Sequence, residues 1–139
     1  MYGPMNVPKE LKACVRFRRL EAVSGKTTGS AKVWMGQTHV TPATSSGDHH
    51  HGEAETAIYV LSGHPVFVFA DGDREVRLET EPGDYIFVPP FAPHREENPS
   101  ADEEAVVVIA RSSQEGIVVN LESLWSAMDR PQDGDPAGG

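Results

Sequence analysis

Within Gly47-Asp48-His49-His50-His51-Gly52-Glu53-Ala54-Glu55 the chain gathers three histidines with Glu53 and Glu55. Imidazole and carboxylate donors together suit Zn, Mn, Fe, Ni or Cu, and ligand type alone does not choose among them. Alternate side chains of an extended backbone share a face, so His49 and His51 point the same way, and so does Glu55 if the chain stays extended. His50 then points away. Further along, Pro89-Pro90-Phe91-Ala92-Pro93-His94 supplies another imidazole, and His94, arriving from a distant strand, would close the set. The pattern reads as a metal site inside a β-barrel.

Three neutral imidazoles and one carboxylate would leave a divalent ion with a net positive charge. In an octahedral shell they would leave two adjacent open positions for a substrate, or for substrate and O2. Such positions permit polarisation of a carbonyl or acidification of a water. With Zn the same four donors can fill a tetrahedron, which makes a structural site unless one donor lets go. Histidines bind metal only when deprotonated, so affinity is expected to fall as the pH drops through about 6.5, the ordinary imidazole value.

Strands and turns must position these groups. At 139 residues the chain is one domain, large enough to bury a core. Eleven prolines and few aromatics fit many short strands joined by tight turns. The single cysteine, Cys14, excludes an internal disulfide and fits a reducing compartment. A net charge of −9 disfavours nucleic acid and anionic membrane as partners. No apolar run approaches the length of a spanning helix, and no signal-peptide core is visible, so a cytoplasmic location is expected.

Residues 1–12, with Pro4 and Pro8, read as an N-terminal arm, 13–128 as a single domain, and 129–139 as a flexible Pro/Gly/Asp tail. Strands are expected over Ala13–Leu20, Ala31–Val40, Thr56–Leu61, Pro65–Ala70, Glu75–Thr80, Tyr85–Val88, His94–Asn98 and Glu104–Arg111. Asp71-Gly72-Asp73 is a hairpin signal, and Val76 and Leu78 are expected to face inward. One short C-terminal helix, Leu121–Met128, follows from apolar positions at i, i+3, i+4 and i+7, with Asn120 as its cap. Turns at regular spacing make the fold class all-β, an antiparallel sandwich or barrel.

Gly83-x5-Pro89-x4-His94-x3-Asn98 resembles the second motif of the cupin superfamily, and His49-x-His51-x3-Glu55 leading into Gly63 resembles the first. The resemblance implies a jelly-roll β-barrel holding one divalent metal ion (Fe, Mn, Zn or Ni) through His49, His51, Glu55 and His94. Two positions depart from the pattern. Phe91 stands where glycine is usual, making the turn before His94 bulkier. From Glu55 to Gly63 there is one residue more than usual, so alternation counted back from Gly63 puts Thr56 on the inward face. Either a bulge restores Glu55, or the carboxylate ligand is absent or is Glu53.

The superfamily hosts many reactions, so the site must carry the functional argument. Three readings follow. The first is a metalloenzyme acting on a small organic substrate, with O2-dependent oxidation preferred over isomerase, lyase or cyclase chemistry. The second is a non-catalytic module that binds or senses a small ligand, and the third a structural zinc barrel of a larger assembly. His39, Gln37, Tyr59 and Phe91 are pocket candidates. Arg95 is expected to face outward, and Glu96-Glu97 to be solvated charge. Apolar edge strands near the N-terminus predict a homodimer, with Ala13–Leu20 or the arm crossing to the partner.

Overall fold

The computed structural model describes residues 9–10 and 17–126. The rest of the expected arm and the expected tail lie outside the described residues, as do 13–16 of the first expected strand. In chain order the strands are β1 Lys9–Glu10, β2 Phe17–Val23, β3 Trp34–Val40, β4 Thr44–Ser45, β5 His49–His50 and β6 Thr56–Ser62. Then come β7 Val66–Asp71, β8 Arg74–Glu79, β9 Tyr85–Val88, β10 His94–Asn98, β11 Ala105–Arg111 and β12 Val119–Asn120. The first sheet has the order β1-β2-β3-β11-β6-β9; the second runs β12-β5-β10-β7-β8, with β4 added on β10. The strand pairs are antiparallel, as the turn spacing predicts, and the architecture is the jelly roll that the motif resemblance implies.

Period-2 patterning builds the core between the sheets. Along β3, Trp34, Gly36, Thr38 and Val40 turn inward, while Met35, Gln37 and His39 take the other face. Ile58, Val60, Phe67, Val88 and Val107 form the central cluster, with Phe69, Ile86 and Ile109 packed against it. The strand β7 is apolar on both faces for a reason. Phe67 looks into the core, whereas Val66 and Val68 look outward and are covered by Leu124 and Trp125.

The hairpin between β7 and β8 closes through Gly72 and Asp73, and Gly72 supplies the positive φ (65°) such a tight loop requires. At Gly63 (φ 82°) an added Cβ would lie 2.7 Å from Ala105 Cα, so that position needs glycine for space as well as for conformation. Phe91 adopts φ 61°, the left-handed region that its glycine-replacing position foreshadows.

Two expectations are corrected. Val76 and Leu78 pair with Phe69 and Phe67, yet they stay 37% and 38% exposed, because β8 is an edge strand with no neighbour on its far side among the described residues. Helical structure does not start at Leu121. Residues 122–125 are bends and turn, and only Ser126 is helical among the described residues, 127–128 lying outside them. Asn120 is spent on β12. Ser123 and Ser126 close this turn instead: Ser123 Oγ accepts from Trp125 N–H, and Ser126 Oγ accepts from Ser123 N–H.

Candidate metal centre

His49 and His94 are brought together by backbone pairing: β5 and β10 run antiparallel with these two residues in register. His51 follows β5, and the chain turns sharply after it at Gly52 (φ 60°). The three rings lie 4.8 Å (His49–His51), 4.5 Å (His49–His94) and 5.0 Å (His51–His94) apart, and His94 stacks on Phe69 at 5.5 Å. Their possible ligand atoms fall within 4.8 Å of one another, close enough to serve a single ion.

The hydrogen bonds decide which nitrogen would bind. His49 Nδ1 donates to Gly47 O at 2.9 Å, His51 Nδ1 to Ile117 O at 2.8 Å, and His94 Nδ1 to Ala92 O at 3.0 Å. A carbonyl can only accept, so each Nδ1 carries the proton and each Nε2 keeps its lone pair. Burial then holds all three neutral. It lowers His94 to about 3, with the neighbouring His49 imidazole adding to the effect and the Ala92 bond opposing it. It lowers His51 to about 4 against the Ile117 bond, and moves His49 the same way. Three neutral, pre-oriented imidazoles fit a divalent transition metal.

These values revise the expected pH behaviour. In the folded protein protons compete with metal well below 6.5, so affinity is retained into mild acid. The sign for the metal-free protein follows from linkage. The unfolded chain takes up protons at about 6.5 that the folded chain refuses, so stability present above that pH is lost as it falls toward 4 and 3. The urea midpoint of metal-free protein should be lower at pH 5 than at pH 7, with a shallower dependence in His94→Gln. A flat profile in the parent would refute this.

The structure does not bring Glu55 to the group. The register slips between Val106 and Val107, opposite the end of β6, but this leaves Glu55 exposed and Thr56 buried and inward. Among the described residues Glu55 is held through its backbone, its N–H donating to Ser112 Oγ and its carbonyl accepting from Ser112 N–H. Glu53 is exposed too. His50 points away, packing against Phe91 at 5.7 Å.

A cavity of about 440 Å³ opens beside the histidines, lined among others by Arg19, Thr38, Thr56, Ile58, Glu96 and Arg111. None of the four pocket candidates lines it. Gln37 and His39 lie on the outer face of β3, where His39 contacts Arg18 and Glu104. Tyr59 packs on Tyr85 on the outer face of its sheet, and Phe91 is 60% exposed. Glu96 corrects a further expectation. It is buried rather than solvated, on the same inward face as His94 and Asn98, and burial raises its carboxyl to about 7 against the nearby charge of Arg19. Arg95 faces outward into a network with Asp48, Glu75 and Glu97.

The cavity residues Arg19, Arg111, Thr38 and Glu96 escape a reading of the sequence because they come from four strands without a local motif. Only Glu96 had a signal: it stands two residues after His94 on one strand, hence on one face.

Residues 36–110 match the family model described as "Cupin domain", which is more than half of the chain. The chain is a cupin. No curated protein sequence matches it. Among solved structures, a protein with a double-stranded β-helix domain from Klebsiella pneumoniae is 14% identical over 81% of this cupin and 90% of that chain, with a TM-score of 0.63. A recombinant oxalate oxidase in complex with glycolate is 18% identical over 78% of this cupin and 56% of that chain, at TM-score 0.64. The capsular polysaccharide assembling protein CapF from Staphylococcus aureus is 16% identical, at TM-score 0.67, over 82% of this cupin and 34% of that chain. This cupin thus spans little more than half of the oxidase and about a third of CapF; at these identities the likeness shows the fold. No helix among the described residues is long and apolar enough to cross a membrane.

Proposed function

We propose that this cupin is a metalloenzyme that acts on a small organic substrate at His49, His51 and His94, with oxygenase-type chemistry preferred over isomerase, lyase or cyclase chemistry. The carrying observation is the three Nε2 atoms freed by their carbonyl partners beside a cavity of substrate size. When bound, a divalent ion would supply Lewis-acid polarisation and open positions for substrate or O2. The chain's own residues hold the rings neutral and in one orientation, and Phe69 fixes the plane of His94. Ile58, Ile109 and Ile117 line the cavity with apolar surface that excludes water from the bound substrate.

A closed structural zinc site is disfavoured, because it would need a fourth protein donor and neither Glu55 nor Glu53 is turned toward the group. Oxalate oxidase has been solved with glycolate and CapF with an inhibitor, which supports a small-molecule ligand for this fold. A cytoplasmic location remains part of the proposal, on composition.

The test is anaerobic loading with Fe(II), followed by nitric oxide. A new electron paramagnetic signal at one equivalent of iron is expected. Purified protein carrying one tightly held, four-coordinate Zn with no exchangeable water would overturn the reading.

We further propose a homodimer, for which the outer face of β6 and β9 offers a surface in addition to the expected N-terminal strand. Tyr85 is 78% and Phe87 56% exposed there, beside Leu61. Light scattering should give twice the 15.1 kDa chain mass, and Phe87→Glu should halve it. A monomeric parent at micromolar concentration refutes this.

A further inference from the structure

The two walls of the cavity differ in chemistry. The sheet containing β5 and β10 contributes His49, His94 and Glu96. The facing sheet contributes Arg19 and Thr38, which are register partners on β2 and β3, and Arg111 and Thr56, which are register partners on β11 and β6. Among the described residues, the buried side-chain atoms without a hydrogen-bond partner are Arg19 Nε, Thr38 Oγ1, Thr56 Oγ1 and Glu96 Oε2. All four residues line this one cavity. Buried polar groups are ordinarily paired, so such a concentration marks the place where a ligand's polar atoms belong.

Three of the four belong to the arginine wall and can donate. Arg111 is fixed there: its guanidinium lies 3.9 Å over the Trp34 ring, Nε donates to Ser113 O and one terminal nitrogen to Gln114 O. That leaves further N–H groups of its fork uncommitted. Glu21, the carboxylate whose charge acts on Arg111, is engaged by the Ser24 hydroxyl and does not line the cavity. With the histidines neutral, the lining holds two guanidinium groups against one carboxyl. Its charge is positive whether or not Glu96 is ionised.

We propose that the cavity takes a small organic acid, whose carboxylate is bound by Arg19 and Arg111 with the hydroxyls of Thr38 and Thr56, on the wall facing the histidines. Planar guanidinium forks match the two oxygens of a carboxylate. The apolar residues Ile58, Ile109 and Ile117 match a hydrocarbon body. The inference deepens the metalloenzyme reading and rests on it only for the far end of the ligand, which the histidine wall would meet.

The probes are 4-fluorobenzoate and its neutral near-isostere 4-fluorobenzamide, followed by fluorine NMR on metal-free and on zinc-loaded protein. Benzoate is expected to bind about tenfold tighter than benzamide in both forms, the scale of one charge-assisted contact. Arg19→Gln and Arg111→Gln should each remove most of that preference, weakening benzoate far more than benzamide while leaving zinc stoichiometry unchanged. Arg111 also packs on Trp34, so if its variant melts early, Arg19→Gln decides. Equal affinity for the two probes, no binding of benzoate, or an unaltered preference in Arg19→Gln overturns the proposal. So does inorganic phosphate displacing benzoate more effectively than benzoate binds. Failure of the parent to retain zinc counts against the metal reading alone, since the metal-free titration still measures the arginine wall.

Discussion

Elemental analysis of His94→Ala protein is expected to find less than about a tenth of the metal that the parent holds, with affinity weakened about 100-fold or more. The ring of His94 is central to the group, 4.5 Å from His49 and 5.0 Å from His51. Its Nδ1 is engaged by Ala92 and its face by Phe69, which holds the ring in the one orientation that aims Nε2 at the group. Glu55→Ala is the informative comparison. Exposed and turned from the group, Glu55 should be dispensable, with metal content within about twofold of the parent. If Glu55→Ala loses metal as His94→Ala does, the carboxylate reaches the ion after all, and the three-histidine description is wrong. If His94→Ala keeps its metal, there is no shared site.

Asn98→Ala should cost about 3 kcal/mol of stability, read as a lower urea midpoint at unchanged slope. Asn98 is 1% exposed, and its amide ties three segments together. The side-chain nitrogen donates to Val40 O at 3.0 Å and Glu103 O at 2.8 Å, with Thr41 O at 3.3 Å, while the side-chain oxygen accepts from Ser100 N–H. Truncation leaves buried carbonyls unpaired, each at about 1–3 kcal/mol. Asn98→Asp should be no milder, because it removes the donors and adds a buried charge. A loss below about 1 kcal/mol for Asn98→Ala would mean that water replaces the amide without penalty. As Asn98 ends the strand that begins at His94, the same bonds also anchor the metal ligand.

Much of the framework was legible in the sequence, because strand period and turn chemistry are local signals. The hairpin at Gly72, the strand His94–Asn98 and the shared face of His49 and His51 needed only neighbouring residues. What was not legible depends on long-range closure. Choosing between the two faces of Trp34–Val40 requires knowing that the Thr38 side packs toward the opposite sheet, so His39 and Gln37 were equally credible pocket residues. Glu96 beside Glu97 looks like solvent-facing charge until His94 is known to point inward. At Glu55, an extra residue left two registers open, and the pairing of β6 with β11 settled which side chain is buried. The apolar spacing from Leu121 to Trp125 mimics a helix, but Asn120 is taken by β12, and residues 122–125 form bends and a turn.

The two tryptophans sit in unlike surroundings. Trp125 Nε1 donates to Gly72 O in the outer clasp over β7, whereas Trp34 lies beneath the Arg111 guanidinium that lines the cavity. A cation held against an indole perturbs its emission, and any molecule that draws Arg111 away alters that perturbation. Trp125→Phe protein would retain a single indole, so the fluorescence of this chain can serve as a built-in gauge of cavity occupancy, with no dye attached.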